Sequence, residues 1–191
     1  LAVAELRSRG PSHGAWPSWL PRAGPDGQEF MTAVVAGFEI GVRIGLCTGA
    51  RQLVRGFHPS PNTGTFAAAA AVSKLLRAGP EQTMNALGIA GSFGGYLMAA
   101  QYGAMVKRVH QGRSSQSGLV AALLAAHGLT GIAEVLESPY GGFAHAFAGG
   151  ADMAEAAQEL GRRWETARVA IKAYPCCGSN HTSIDAYLSV L

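Results

Sequence analysis

Residues 30–44 read FMTAVVAGFEIGVRI, and the spacing of their apolar and small residues decides the fold. Phe30, Ala33, Val34, Gly37, Ile40, Gly41 and Ile44 recur at intervals of three and four, which puts them on one face of an α-helix. A strand would alternate at two. The face is rich in small residues, so a second helix can approach its backbone closely. Asp26, a few residues upstream, suits the N-cap, where its carboxylate accepts from the free N–H groups of the first turn.

Working outward, most of the chain continues in this helical idiom. Residues 1–9 read as the tail of a helix already under way, stopped by Gly10-Pro11, as in a piece cut from a longer chain. Residues 10–27 are too rich in Pro and Gly for regular structure. Beyond residue 55, GFHPSPNTGT (56–65) reads as a loop whose Asn62, Thr63 and Thr65 cap an alanine-rich helix over 66–78, closed by Gly79. Pro80 fits the first turn of the next helix, which continues from 81 to about 102 although Gly88, Gly91, Gly94 and Gly95 lower its propensity. A further helix over 119–127 ends at Gly128, two short helical pieces flank a Pro-Gly turn in 129–149, and 151–160 is helical.

Only near the end does the period change: RVAIKAY (168–174) alternates as a strand ahead of Pro175, and Thr182 with Asp185 opens a last helix. The expectation is a mainly α chain. Residues 1–165 belong to a helical domain and 166–191 begin an α+β unit.

Composition narrows the function classes. A net charge of +3, with no block of like charges, is too small and too dispersed for nucleic acid. Only 14% of residues are charged and 26 are glycine, which favours a surface partly covered by other protein, in the simplest case a homodimer. Three cysteines form an odd set without a disulfide framework, pointing to free thiols in cytoplasm or an organelle matrix. Residues 82–106 carry no charge before Lys107, and Gly91 and Gly95 have the spacing of membrane helix pairs. Gln82, Asn85, Ser92 and Gln101 interrupt the run, so a buried glycine-notched helix is expected rather than a membrane span.

Three segments carry chemistry. In KAYPCCGSNH (172–181), Cys176 and Cys177 are adjacent, whereas zinc sites separate paired cysteines by two to four residues so that both face the metal. No metal is expected. A thiol nucleophile at Cys177 would need the help of Lys172 or His181. In MVKRVHQGRS (105–114), Lys107, Arg108, His110 and Arg113 crowd together after the uncharged run, at a helix start where exposed N–H groups also attract carboxylate or phosphate. In the 56–65 loop, His58 ahead of Pro59 is a candidate acid or base near neutral pH. Each segment also has an ordinary reading: packed thiols, a solvated charged turn, a surface histidine. No G-x-S-x-G elbow accompanies Ser114, Ser115 and Ser117, and GIAGSFGG lacks the leading strand of a dinucleotide loop.

In this order, GFHPSPNTGTFAAAAA, ALGIAGS, MVKRVHQGRSSQSG, LTGIAEVLESPYGGF and IKAYPCCGSNHTSIDA resemble the 2-methylcitrate dehydratase family, MmgE/PrpD. That family includes cis-aconitate decarboxylases and iminodisuccinate epimerases. The resemblance runs over nearly the whole chain, residues 10–27 excepted. It implies an all-helical domain with an α+β lid, homodimers, no metal or organic cofactor, and a small di- or tricarboxylic acid as substrate. It also implies a further aspartate- and histidine-bearing active-site segment upstream of Leu1. His58 matches the family's loop histidine, Lys107 the lysine of its K-x-x-H-x-G motif, and Lys172 the lysine before its Y-P turn. The resemblance therefore implies acid–base work for His58 and carboxylate binding and charge stabilisation for the lysines, with Arg108, His110, Cys177 and His181 beside the substrate. Some members of the family, notably decarboxylases, carry histidine at the position of Cys177, where this sequence departs from them. A 2-methylcitrate dehydratase-like hydro-lyase is the first expectation, a decarboxylase or epimerase the second, and a non-catalytic helical assembly piece the third.

Overall fold

The computed structural model describes residues 24–191, so the expected helix over 1–9 and most of the loop over 10–27 lie outside the described residues. Helix α1 (Gly27–Val54) begins where Asp26 predicts, through a reciprocal capping box. The Glu29 N–H donates to Asp26 Oδ1 at 2.8 Å and the Asp26 N–H to Glu29 Oε2 at 3.1 Å. On the expected face Ala33, Gly37 and Ile44 are buried, whereas Phe30 at its start is half exposed.

The small residues of that face receive α2 (Pro59–Leu75). A Cβ on Gly37 would lie 2.8 Å from the Ala67 carbonyl and 3.0 Å from the Ala71 methyl, so only glycine permits this crossing. The second helix starts at Pro59, not at residue 66. Pro59 and Pro61 occupy first-turn positions, where no intrahelical partner waits for the missing N–H, so the prolines begin the helix instead of holding a loop. Asn62, Thr63 and Thr65 are consequently inside it and do not cap it. The Thr65 hydroxyl donates back to the Pro61 carbonyl at 3.0 Å.

Helix α3 (Pro80–Gly91) is followed by the 3-10 turns Met98–Gln101 and Met105–Arg108 and then by α4 (His110–Ala126). Helix α2 lies between α1 and α4, and α3 packs on both α2 and α4. Ile44, Phe66, Ile89, Val135 and Phe143 fill the space between them, among the buried alanines of α2, α3 and α4. Full burial of Phe66 alone contributes about 1.5–3 kcal/mol. A Cβ on Gly118 of α4 would overlap the Thr65 carbonyl and the Ala69 N–H, which fixes how closely α4 lies on α2.

Two helices have other limits than expected. The third stops at Gly91 instead of reaching 102: Gly91 is pressed against Val135 and Phe66, and Gly95 takes φ +115°, outside the helical region. The chain turns back there and pairs with residues 56–58. The His58 N–H donates to the Tyr96 carbonyl and the Met98 N–H to the Gly56 carbonyl, both at 2.7 Å. The fourth helix starts at His110 rather than 119.

Beyond α4, residues 133–137 form turns, and only the second of the two expected short pieces is helical, as α5 (Phe143–Ala148). The helix expected over 151–160 shrinks to α6 (Ala154–Ala157). This connector is held by Arg43, 2% exposed, whose guanidinium binds Glu39 at 2.7 Å and the carbonyls of Ala156, Gln158 and Arg163 at 3.0, 2.9 and 2.7 Å. Glu39 in turn accepts from the Thr166 N–H and hydroxyl at 3.1 and 3.2 Å. By length and composition α1 is apolar enough to cross a membrane, yet this ion pair sits buried on it.

Residues 168–174 are not a strand. The alternation is present and Ile171 is 95% exposed, but a strand needs a neighbour to take its hydrogen bonds. The isolated bridge between Phe57 and Leu97 is the only β-pairing among the described residues. After the 3-10 turn Gly178–Asn180, the last helix, α7 (His181–Leu188), starts one residue before Thr182 and has no side-chain cap.

Candidate active site

His58 occupies the N-cap position of α2, but its ring does not cap the helix. Its Nδ1 meets His110 Nδ1, on the first residue of α4, at 3.1 Å. Facing Nδ1 atoms form a hydrogen bond only if one carries the proton and the other does not, so the pair shares one proton across α2 and α4. His110 is buried and His58 half-buried. Burial, and then the electrostatic influence of Lys107 and of the neighbouring His110, hold His58 below the ordinary histidine value of 6.5. The ring is neutral at neutral pH and free to accept a proton.

Lys107 lies on the 3-10 turn just before α4, half-buried, with Nζ 3.8 Å from Met98 Sδ. A soft sulfur is a weak partner for an ammonium, which leaves the charge available to an anion. Tyr96 completes this wall with its ring 5.4 Å from that of His110. Alongside it is a cleft of about 260 Å³ lined by Tyr96, Arg113, Gln116 and Ser117 among others. Arg108, on the same turn as Lys107, is exposed.

A buried polar chain supports the pair from behind. Asn62 Oδ1 accepts from the Gly95 N–H at 2.9 Å and the Tyr96 N–H at 3.4 Å, while its Nδ2 donates to Gln52 Oε1 at 3.0 Å. Gln52 donates to the Thr48 hydroxyl at 2.7 Å. Asn62 and Gln52 are fully buried, so α1 holds the Gly95-Tyr96 turn, and that turn holds the backbone of His58. Sequence reading missed this function of Asn62, taking it for a cap.

The C-terminal candidates are built locally. Lys172 Nζ donates to the Cys176 carbonyl at 2.9 Å, and Cys177 Sγ lies 3.0 Å from the Ser179 hydroxyl. Cys177 is held below the usual thiol range by its bonds to the Ser179 side chain and backbone, and by the charges of Lys172 and Lys107. Lys107 thus acts on both His58 and Cys177. The His181 ring sits edge-on to Tyr174 at 5.2 Å, and its Nε2 is buried with no hydrogen-bond partner among the described residues. Tyr174 donates to Asp185 at 2.6 Å. The structure brings His58 and His110 into direct contact, with Lys107 near enough for its charge to act on His58, and puts Cys177 within the field of Lys172 and Lys107. Among the described residues, no three His, Cys, Asp or Glu side chains cluster as a metal site.

A histidine pair whose His58 ring favours the neutral form, beside a lysine and next to an open cleft, suits proton transfer on an anionic substrate. The chain is 40% identical over 193 residues to a "cis-aconitate decarboxylase-like protein oryM" of Aspergillus oryzae, covering 97% of this chain and 38% of that protein. It is 40% identical over 167 residues to a cis-aconitate decarboxylase of Aspergillus terreus, covering 84% of this chain and 34% of that one. A human cis-aconitate decarboxylase is 34% identical over 128 residues, which is 65% of this chain and 26% of the human protein. The chain therefore spans little more than a third, or less, of the length of these relatives. The MmgE/PrpD N-terminal domain matches residues 1–156, and the chain belongs to the MmgE/PrpD family, whose members are lyases and isomerases.

Proposed function

We propose that this chain supplies the His58–His110–Lys107 part of the active site of a lyase that decarboxylates a small tricarboxylic acid of the cis-aconitate type. The observation that carries the reading is the shared-proton pair, 3.1 Å across, next to a cation that no carboxylate neutralises among the described residues. In the reaction the bond from carbon to the departing carboxyl group breaks, and its electron pair moves through the adjacent double bond toward a retained carboxylate. Lys107 and Lys172 lower the cost of that charge. The pair, protonated once the anionic substrate has raised its proton affinity, delivers a proton to carbon, carbon dioxide leaves, and solvent restores the proton.

The names of the relatives support decarboxylation over the hydro-lyase reaction of 2-methylcitrate dehydratases. One observation favours the latter: His58 is neutral before substrate binds, the state needed to take a proton from carbon while hydroxide leaves as water. The enzyme works as a homodimer in cytoplasm or an organelle matrix, without metal. To test this, full-length protein is incubated with cis-aconitate, 2-methylcitrate and iminodisuccinate, and products are followed by mass. Loss of carbon dioxide from cis-aconitate is expected. Loss of water from 2-methylcitrate alone selects the hydro-lyase, and no reaction with any of them overturns the catalytic reading.

A further inference from the structure

Tyr96 has a hydroxyl that the fold leaves unexplained. Its oxygen is screened from solvent and has no hydrogen-bond partner among the described residues. Such a group costs about 1–3 kcal/mol relative to a paired one, and structures rarely retain it without a use. The rest of the residue is held tightly: Asn62 accepts from its N–H, its carbonyl accepts from the His58 N–H at 2.7 Å, and its ring lies 5.4 Å from that of His110. It also lines the open cleft with Arg113, Gln116 and Ser117. Two hydrogen bonds fix the backbone of Tyr96, and its ring neighbours His110 while the residue also lines the cleft.

Resting on the function proposed above, we propose that Tyr96 is a substrate contact, its hydroxyl donating a hydrogen bond to a carboxylate oxygen of the acid bound at the His58–His110 pair. A phenol is suited to this: it is a neutral donor at neutral pH, so its burial carries no charge cost, and a carboxylate is the acceptor that gains most from it. The same clamp would orient the acid relative to His58, because one residue holds the backbone of the base and touches the substrate.

The test is Tyr96→Phe in the full-length protein, with binding of cis-aconitate and of the unreactive tricarballylate measured by calorimetry, and thermal unfolding recorded without ligand. Binding is expected to weaken about 10- to 100-fold, the range for a hydrogen bond to a charged group. The ligand-free melting temperature should stay level or rise, since phenylalanine removes a buried donor without a partner. Unchanged affinity for both acids overturns the proposal. So does a clear fall in the ligand-free melting temperature, which would show that the hydroxyl is paired within the protein itself. If wild type binds neither acid, the carboxylate-lyase reading falls along with this one, whereas wild-type binding that Tyr96→Phe leaves intact refutes only the role of Tyr96.

Discussion

The two halves of the candidate site are built by different means. His58 and His110 come from separate helices and meet because α2 packs between α1 and α4, with the Asn62–Gln52–Thr48 chain fixing the turn behind them. Lys172, Cys177 and Ser179 are bound to atoms two to four residues away, on a segment whose side chains are mostly exposed. One half is positioned by tertiary packing, the other by local hydrogen bonds. The first is therefore preorganised, whereas the second depends on whatever packs against residues 168–191.

The largest effect that tests this contrast is on turnover. Lys107→Ala and Lys172→Ala in full-length protein are each expected to lower kcat by roughly 10²–10³-fold, the range for losing one group that stabilises developing charge. Turnover within a few-fold of wild type for both variants would remove the lysines from the mechanism. Next comes stability. Asn62→Ala strands the Gly95 and Tyr96 N–H groups and the Gln52 amide in a buried site, and should cost about 1–3 kcal/mol in urea unfolding. Ser179→Ala in the exposed half should cost less than about 0.5 kcal/mol. Equal losses would erase the distinction.

A smaller effect concerns pH. Because folding lowers the His58 value below 6.5, the unfolded chain binds the extra proton more readily. The contribution of His58 is fully present above the unfolded value and is lost progressively as pH falls from there toward the lower folded value. His58→Gln should flatten the decline in unfolding midpoint over that acidic range, and an unaltered slope would contradict the assignment. The smallest effect is chemical selectivity. Cys177, exposed and with a lowered value, should alkylate first with iodoacetamide. Cys47, buried and raised first by burial and then by the charge of Glu155, should react last. Ser179→Ala should slow Cys177 by removing its hydrogen bond.

Much of the architecture was legible in the chain. The three-and-four spacing of residues 30–44 marked α1, Asp26 marked its start and Pro80 that of α3, because these depend on neighbours in sequence. The errors came where remote contacts ruled. GFHPSPNTGT resembled a loop by composition, yet its prolines fall in the first turn of α2. RVAIKAY alternates like a strand, and no partner strand is present to pair with it among the described residues. The candidate residues His58, Lys107 and Lys172 were named from motifs, while Asn62 and Tyr96 could be recognised only once α1, α2 and the Gly95-Tyr96 turn were seen together.

Sequence by itself determined the helical class, a small-residue face on α1 open to close approach by another helix, and the residue types of an anion-handling site. Those follow from periodicity, side-chain size and charge, all of which are local properties. Tertiary structure alone decided that His58 and His110, 52 positions apart, share one proton, and that burial, helped by the nearby Lys107, lowers the His58 value. The reason is physical: proton affinity and hydrogen bonding depend on distance and solvent exclusion, and both arise only when α2 and α4 pack together.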